Sequence, residues 1–247
     1  MTPTSSPAGL LALPVWPGPA PAGVVVDLDD TIYPQRAYLD GAAASVGAAA
    51  ATLGLDGAAV TRALRAQLRH GSDRGGTIDR ALAACGVDPG RAAELLPDLV
   101  AAFTGHRPAR LPLYRGAARA LAALAARYPL ACLTDGDPRI QHAKLAATGV
   151  AALVDAVVIT DELGGRAFRK PAPAGLHRAA ELLGVPVGEL VMIGDRPGKD
   201  VAVAAAVGAR SVRVGTGEYA DAPDEPAATL SVPDLASAAA VLCRLPG

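Results

Sequence analysis

The sequence predicts an α/β fold whose core is a doubly wound, mostly parallel sheet. Five short segments rich in β-branched residues alternate with helical patterns along the chain, at 24–28, 129–134, 156–160, 189–194 and 210–214. Most of these segments are apolar throughout, which is typical of strands that helices cover on both faces. The alternation of strands and helices favours right-handed crossovers, and therefore helices on both sides of the sheet.

A helical domain is expected between the first two strands. About a hundred residues separate these strands, far more than one crossover helix needs. Val60, Leu64 and Leu68 recur at helical spacing within this segment. We therefore predict a small helical insertion at 35–112, and an α/β core formed by 23–34 and 113–247.

Residues 1–22 are predicted to be a disordered tail. They are rich in Pro, Ala and Ser, and they lack the positive start and the continuous apolar stretch of a signal peptide. Apolar residues in this segment, Trp16 among them, leave packing against the body of the protein as the alternative.

Composition and charge point to a small-molecule partner. The formal net charge of the 247 residues is −1, so no overall basic field attracts nucleic acid or an anionic membrane surface. No apolar run approaches the length of a membrane-spanning helix. The three widely spaced cysteines form neither a disulfide framework nor a metal pattern, which favours a cytoplasmic protein. The oligomeric state, monomer or homodimer, stays open.

An acidic segment follows the first predicted strand. Asp27, Asp29 and Asp30 lie within four residues, directly after three valines. Several carboxylates at the end of an apolar strand are costly unless a cation or a hydrogen-bond network neutralises them. Mg²⁺ suits such a site because it prefers carboxylates together with water and phosphate oxygens. The alternative is a solvated acidic turn before a helix.

Three further polar groups follow later strands. Thr134 and Asp135 begin a turn whose hydroxyl and amides suit phosphate oxygens, although a Thr before Asp-Gly is also ordinary turn chemistry. Lys170 precedes a helix, where its ammonium would neutralise a phosphate or would simply face solvent. Asp195 and Asp200 bracket a Gly/Pro loop that suits either a metal site or a helix N-cap.

These four motifs resemble, in their order and position, the haloacid dehalogenase-like hydrolase superfamily over roughly residues 23–215. The family's motif residues are matched in order by Asp27, Asp29, Thr31, Thr134, Lys170, Asp195 and Asp200. The resemblance implies a Rossmann-like core with a helical cap inserted directly after the first motif.

The resemblance implies that the protein is a phosphatase that hydrolyses a small phosphorylated metabolite. Asp27 would be the nucleophile that forms an aspartyl-phosphate, and Asp29 the general acid and base. Family dehalogenases and phosphonate-cleaving members lack a carboxylate at the position of Asp29, so this residue favours phosphate esters. Thr134, Asp135 and Lys170 would hold the phosphate. The Mg²⁺ ligands would come from Asp27, Asp29 through its main-chain carbonyl, Asp195 and Asp200.

Two features depart from the family pattern. Asp135 stands where many relatives have Asn, and Lys199, beside Asp200, competes with Lys170 for the role of the motif lysine. Lys170 is preferred because its Lys-Pro step before a helix matches the third motif. Only three lysines occur in the chain, Lys144, Lys170 and Lys199, because arginine otherwise supplies its positive charge.

The cap is expected to contact the leaving group and so to determine specificity. The candidates are Tyr33 and Arg36 at the cap entrance, and Arg74 in a glycine-rich loop. The sequence also fits two other functions: a phosphomutase of the same superfamily, and a non-catalytic regulatory or partner-binding module. A response-regulator-like receiver also uses an Asp and Mg²⁺, but it has no hundred-residue insertion after its first strand.

Overall fold

One parallel sheet organises the protein, and the computed structural model describes residues 14–71 and 74–246. The strands are Gly23–Val26 (β1), Leu130–Thr134 (β2), Ala156–Ile159 (β3), Leu190–Gly194 (β4), Arg210–Val214 (β5) and Leu230–Val232 (β6). They are ordered β3-β2-β1-β4-β5-β6, and every neighbouring pair is parallel. The predicted α/β fold and its five strands are confirmed. The sequence analysis missed β6, an edge strand of three residues whose pattern is too short to stand out.

Helices lie in each connection between consecutive strands from β1 to β5, and one more follows β6. They are Gln35–Thr52 (α1), Gly57–Leu68 (α2), Thr77–Ala84 (α3), Pro89–Thr104 (α4), Ala117–Ala125 (α5), Pro138–Thr148 (α6), Ala174–Leu183 (α7), Ala202–Ala206 (α8) and Leu235–Leu242 (α9). The first four, α1 to α4, occupy the segment where the sequence predicts a helical insertion, and we call them the helical cap. Among the described residues, no helix combines the length and apolar composition needed to cross a membrane.

Aspartate caps fix where several helices begin. The carboxylate of Asp56 accepts a hydrogen bond from the backbone N–H of Ala59 at 2.9 Å, at the start of α2. Asp88 and Asp137 act in the same way before α4 and α6, and each is followed by a proline at the first helical position. Such a cap satisfies backbone donors that the helix itself leaves unpaired, and the proline has no donor to lose.

The sheet is covered on both faces, as a doubly wound fold requires. Val25 packs with Leu176 of α7 and Val203 of α8 on one face. Val24 and Val26, which point the other way, belong to a second apolar cluster that includes α5, α9 and the helical cap. Because side chains alternate along a strand, β1 serves both clusters and is buried throughout.

The segment before β1 packs on the sheet domain, in contrast to the disordered tail expected over 1–22. Trp16 is 5% exposed, and its indole N–H donates to the carbonyl of Pro19 at 2.9 Å. The Arg210 guanidinium lies 5.7 Å from the centre of the indole ring. The large apolar surface of the indole explains why composition alone misled the prediction at this position. Residues 1–13 of the expected tail lie outside the described residues.

Candidate active site

The polar strand ends meet at one edge of the sheet. β1 lies between β2 and β4, so Asp27 follows the central strand, while Thr134 and Asp195 end or follow its neighbours. The Asp27 backbone N–H donates to the carbonyl of Ile193 at 2.9 Å, which holds the first motif against the fourth. Ligands of open α/β sheets bind at this carboxyl edge.

Three buried carboxylates form a cluster at that edge. Oxygens of Asp27, Asp195 and Asp200 all lie within 4.8 Å of one another, and none of these residues is more than 6% exposed. Burial raises the pKa of Asp195 to about 9. Burial also raises the pKa of Asp27 to about 7, although the charge of Lys170 opposes the rise. The protein alone therefore stabilises Asp27 and Asp195 poorly as anions.

A divalent cation fits this cluster. Both carboxylate oxygens of Asp195 are buried, and neither has a hydrogen-bond partner among the described residues. Buried polar atoms without partners are uncommon in proteins, and each one needs a physical reason. Hard oxygen ligands from two or more carboxylates are what Mg²⁺ prefers. Asp27, Asp195 and Asp200 are accordingly the residues suited to hold such an ion.

Lys170 is the lysine that contacts Asp27. Its ammonium lies 2.5 Å from Asp27 Oδ1 and 2.5 Å from Asp200 Oδ1. Burial would lower the pKa of Lys170, but the charges of Asp200 and Asp27 outweigh burial and raise it well above its usual value. Lys170 is therefore a fixed positive charge beside the first motif. Lys199, the rival, instead lies 3.1 Å from Asp135 Oδ2.

Asp135 uses its side chain to hold the site together. Its Oδ1 accepts from the backbone N–H of Lys170 and from the hydroxyl of Thr160, both at 3.0 Å. Burial would raise the pKa of this carboxyl, but Lys170 and Lys199 lower it overall. An ionised carboxylate repels phosphate, so the phosphate contact expected of Asp135 stays a prediction for the turn amides and does not involve its side chain. The role that fits is to anchor the Lys170 segment.

Thr134 remains a suitable phosphate contact. It is fully buried at the end of β2, and its hydroxyl has no hydrogen-bond partner among the described residues. A hydroxyl in this state is available to an anionic oxygen at the sheet edge.

Asp29 has partners that the sequence analysis missed. The Lys144 ammonium lies 2.8 and 2.7 Å from its two carboxylate oxygens. The Tyr33 hydroxyl donates to Asp29 Oδ1 at 2.6 Å, and Gln141 Nε2 donates to Oδ2 at 3.3 Å. Lys144 and Gln141 both belong to α6 and are nearly inaccessible to solvent. The scarcity of lysine was the one sequence signal that pointed to Lys144.

Asp30, the third acid of the first motif, connects the core to the cap. Its backbone adopts φ of 57°, in the left-handed region, and its Oδ1 accepts from the backbone N–H of Gln35 at 2.9 Å. On the other side, the backbone N–H of Glu218 donates to Oδ2 at 3.2 Å. The carboxylate thus satisfies donors at the start of α1, so its role is structural.

A cavity of about 200 Å³ opens over these residues. It is lined on the core side by Asp27, Asp29, Lys144, Lys170, Lys199 and others. The helical cap contributes Gln35, Tyr38, Leu39 and Phe103. All three lysines of the chain therefore line one cavity, and each lies against an aspartate.

The cap residues expected from the sequence lie elsewhere. Tyr33 is fully buried beneath Asp29. Arg36 pairs with Asp40 at 2.9 Å and lines a neighbouring cavity of about 370 Å³. Arg74 is exposed, with its side chain beside Gly71. Side-chain direction on α1 explains the difference for Arg36, because Gln35, Tyr38 and Leu39 occupy the helix face that meets the cavity.

Known proteins resemble the chain over most of its length. The model of the haloacid dehalogenase-like hydrolases matches residues 21–208. The glyceraldehyde 3-phosphate phosphatase of Methanopyrus kandleri is 31% identical over 217 residues, which are 85% of this chain and 90% of that protein. The phosphoserine phosphatase of Thermus thermophilus is 38% identical over 149 residues, which are 60% of this chain and 56% of that protein.

The same likeness extends to solved structures. The L-2-haloacid dehalogenase of Xanthobacter autotrophicus matches with a TM-score of 0.61 and 22% identity, over 91% of this chain and 99% of that one. At this level of identity the match shows a shared fold.

Proposed function

The chain belongs to the haloacid dehalogenase-like hydrolases as a phosphatase-type member, and we propose that it releases phosphate from a small phosphorylated metabolite in a Mg²⁺-dependent reaction. The observation that supports this most directly is the meeting of Asp27, Lys170, Asp195 and Asp200 at the carboxyl edge of the sheet. A nucleophile, a fixed positive charge and a cation site then surround one point at which a phosphoryl group fits.

The ion would be held by the carboxylates of Asp27, Asp195 and Asp200, together with the main-chain carbonyl of Asp29. When bound, Mg²⁺ neutralises negative charge shared between the carboxylate nucleophile and the phosphate. The unpartnered oxygens of Asp195 support this assignment.

Asp27 is proposed to attack phosphorus and form an aspartyl-phosphate, which water then hydrolyses. Lys170 orients Asp27 through its contact with Oδ1, whereas Oδ2 has, among the described residues, the weak 3.4 Å contact from the Thr31 hydroxyl. Lys170 and the hydroxyl of Thr134 would bind the transferring phosphoryl oxygens and stabilise their charge.

Asp29 is proposed to donate a proton to the leaving oxygen and later to take one from the attacking water. Its contacts with Lys144, Tyr33 and Gln141 fix the carboxylate in one orientation beside the cavity. Lys144 is therefore a positioning residue for this acid and base. A carboxylate at this position supports phosphate-ester chemistry over dehalogenation.

Phosphate release tests the proposal. The purified protein is assayed on a panel of small phosphate monoesters, with Mg²⁺ and with EDTA. We expect turnover that needs Mg²⁺ and that falls by more than about a thousandfold in Asp27→Asn, because the nucleophile is lost. Repeated turnover with water as the only acceptor also separates a phosphatase from a phosphomutase.

Asp155→Asn is the matched control for this experiment. Asp155 accepts from the backbone N–H of Leu130 at the opposite end of β2, so the same chemical change there should leave phosphate release intact. Full activity of Asp27→Asn, or activity that persists in EDTA, would contradict the proposal.

A further inference from the structure

Tyr38 is a residue of the helical cap whose side chain lines the cavity and whose hydroxyl lacks a hydrogen-bond partner among the described residues. The residue lies on α1, is fully buried and lines the cavity over Asp27. Burial raises the pKa of this phenol to about 12, so the group is a neutral donor and acceptor at physiological pH. Leaving a buried hydroxyl unpaired is costly, which points to a partner that the folded chain itself does not supply.

The ring of Tyr38 is fixed by its neighbours. The Lys144 ammonium lies 5.1 Å from the ring centre, and the His106 ring packs edge to face at 5.3 Å. Lys144 simultaneously holds Asp29, so the tyrosine is coupled to the proposed acid and base through one side chain. The group that departs from the phosphorus leaves toward Asp29, so it moves toward the side of the cavity where Lys144 contacts both Asp29 and the Tyr38 ring.

The charges around the cavity indicate what that leaving group is. Among the described residues, those that the cap contributes to the cavity are uncharged: Gln35, Tyr38, Leu39 and Phe103. On the core side, the lysines and Arg169 already lie within 3.1 Å of carboxylate oxygens, and the Arg196 guanidinium lies 4.1 Å from the centre of the Tyr219 ring and donates to its hydroxyl. A carboxylate or second phosphate on the leaving group would meet these acids without a cation of the cap to balance it.

The size of the cavity sets a further limit. Its volume of about 200 Å³ is below the roughly 300–1,000 Å³ of pockets that hold drug-sized ligands. The phosphoryl group itself occupies part of this space, so a leaving group of a few heavy atoms is enough to fill the remainder.

We propose that Tyr38 is a specificity-determining residue whose hydroxyl bonds to the leaving group, and that the preferred substrates are phosphate monoesters of small, uncharged hydroxy or carbonyl compounds. This inference rests on the proposed phosphatase function. It separates the substrate classes named by the two relatives, since glyceraldehyde is uncharged whereas serine carries an ammonium and a carboxylate.

Three probes of equal carbon number test the inference. Glycerol 3-phosphate carries hydroxyls on its leaving group, propyl phosphate lacks them, and 3-phosphoglycerate adds a carboxylate. We expect wild-type kcat/KM to be highest for glycerol 3-phosphate. In Tyr38→Phe, which keeps the ring, the preference for glycerol 3-phosphate over propyl phosphate should fall roughly three- to tenfold, as the loss of one hydrogen bond implies.

Tyr128→Phe provides the matched control. That tyrosine is also buried, but its hydroxyl donates to the carbonyl of Leu242, remote from the cavity, so all three rates should stay at wild-type values. Phosphate release with an unchanged preference in Tyr38→Phe, or with 3-phosphoglycerate as the best substrate, would overturn the inference and leave the phosphatase function standing. Failure of the wild type to release phosphate from any monoester of a wider panel would instead overturn the function itself.

Discussion

At the scale of single residues, the site is organised by pairs of one lysine and one or two aspartates. Lys170 contacts Asp27 and Asp200, whereas Lys199 contacts Asp135. A lysine ammonium is a compact charge that reaches several acceptors without the planar geometry that an arginine fork imposes. This difference explains why a chain that otherwise uses arginine has its lysines here.

Substitution of Lys170 should lower turnover far more than substitution of Lys199. We expect Lys170→Met to lower kcat by at least about a hundredfold, because it removes a buried charge beside both the nucleophile and the transferred phosphoryl group. Lys199→Met should lower kcat by no more than about tenfold. Lys199 contacts Asp135, and the role of Asp135 is to anchor the Lys170 segment. Steady-state phosphate release at saturating substrate measures both.

The two lysine variants control for each other, since each loses one ammonium from the same cavity. Thermal unfolding of both proteins checks that they are folded. A larger loss of kcat in Lys199→Met would assign the motif role to Lys199, and equal losses would contradict the assignment to Lys170 alone.

At the scale of an element, the turn after β4 depends on a residue with no side chain. The Asp200 carboxylate folds back over Gly194, where a Cβ would lie 2.2 Å from Asp200 Cγ. The backbone N–H of Arg196 also donates to Asp200 Oδ2 at 3.0 Å. The π-helical turn Pro197–Val201 brings Asp200 into this position. Only glycine at the strand end allows the carboxylate to reach the acidic cluster.

Gly194→Ala is therefore expected to weaken cation binding by displacing Asp200. We expect the Mg²⁺ concentration for half-maximal phosphate release to rise by roughly tenfold or more, the size of effect that loss of a ligand's supporting contact produces. Gly198→Ala is the control, because a Cβ there meets nothing within 4 Å. An unchanged Mg²⁺ requirement in Gly194→Ala would show that Asp200 is not needed for the ion.

At the scale of the whole molecule, the sequence predicts well those features that short segments of the chain encode by themselves. Asp27, Thr134 and Asp195 follow apolar strands, so the parallel sheet brings them together without further information. Tyr38 and Lys144 lie inside helices, where nothing in the local pattern distinguishes them. Their positions depend on how α1 and α6 pack over the strand ends, which is a long-range property.

The segment before β1 is likewise held by a contact that its local sequence does not encode. Trp16 is 5% exposed within the main apolar cluster, whereas its neighbour Val15 is 88% exposed. Trp16→Ala should lower the free energy of unfolding by about 2–4 kcal/mol, at the lower side of large aromatic truncations because the segment can shift. Val15→Ala should change it by less than about 0.5 kcal/mol. Urea unfolding followed by far-UV circular dichroism measures both, because Trp16 is the only tryptophan available for fluorescence. Wild-type stability of Trp16→Ala would mean that the burial of Trp16 contributes nothing to the fold.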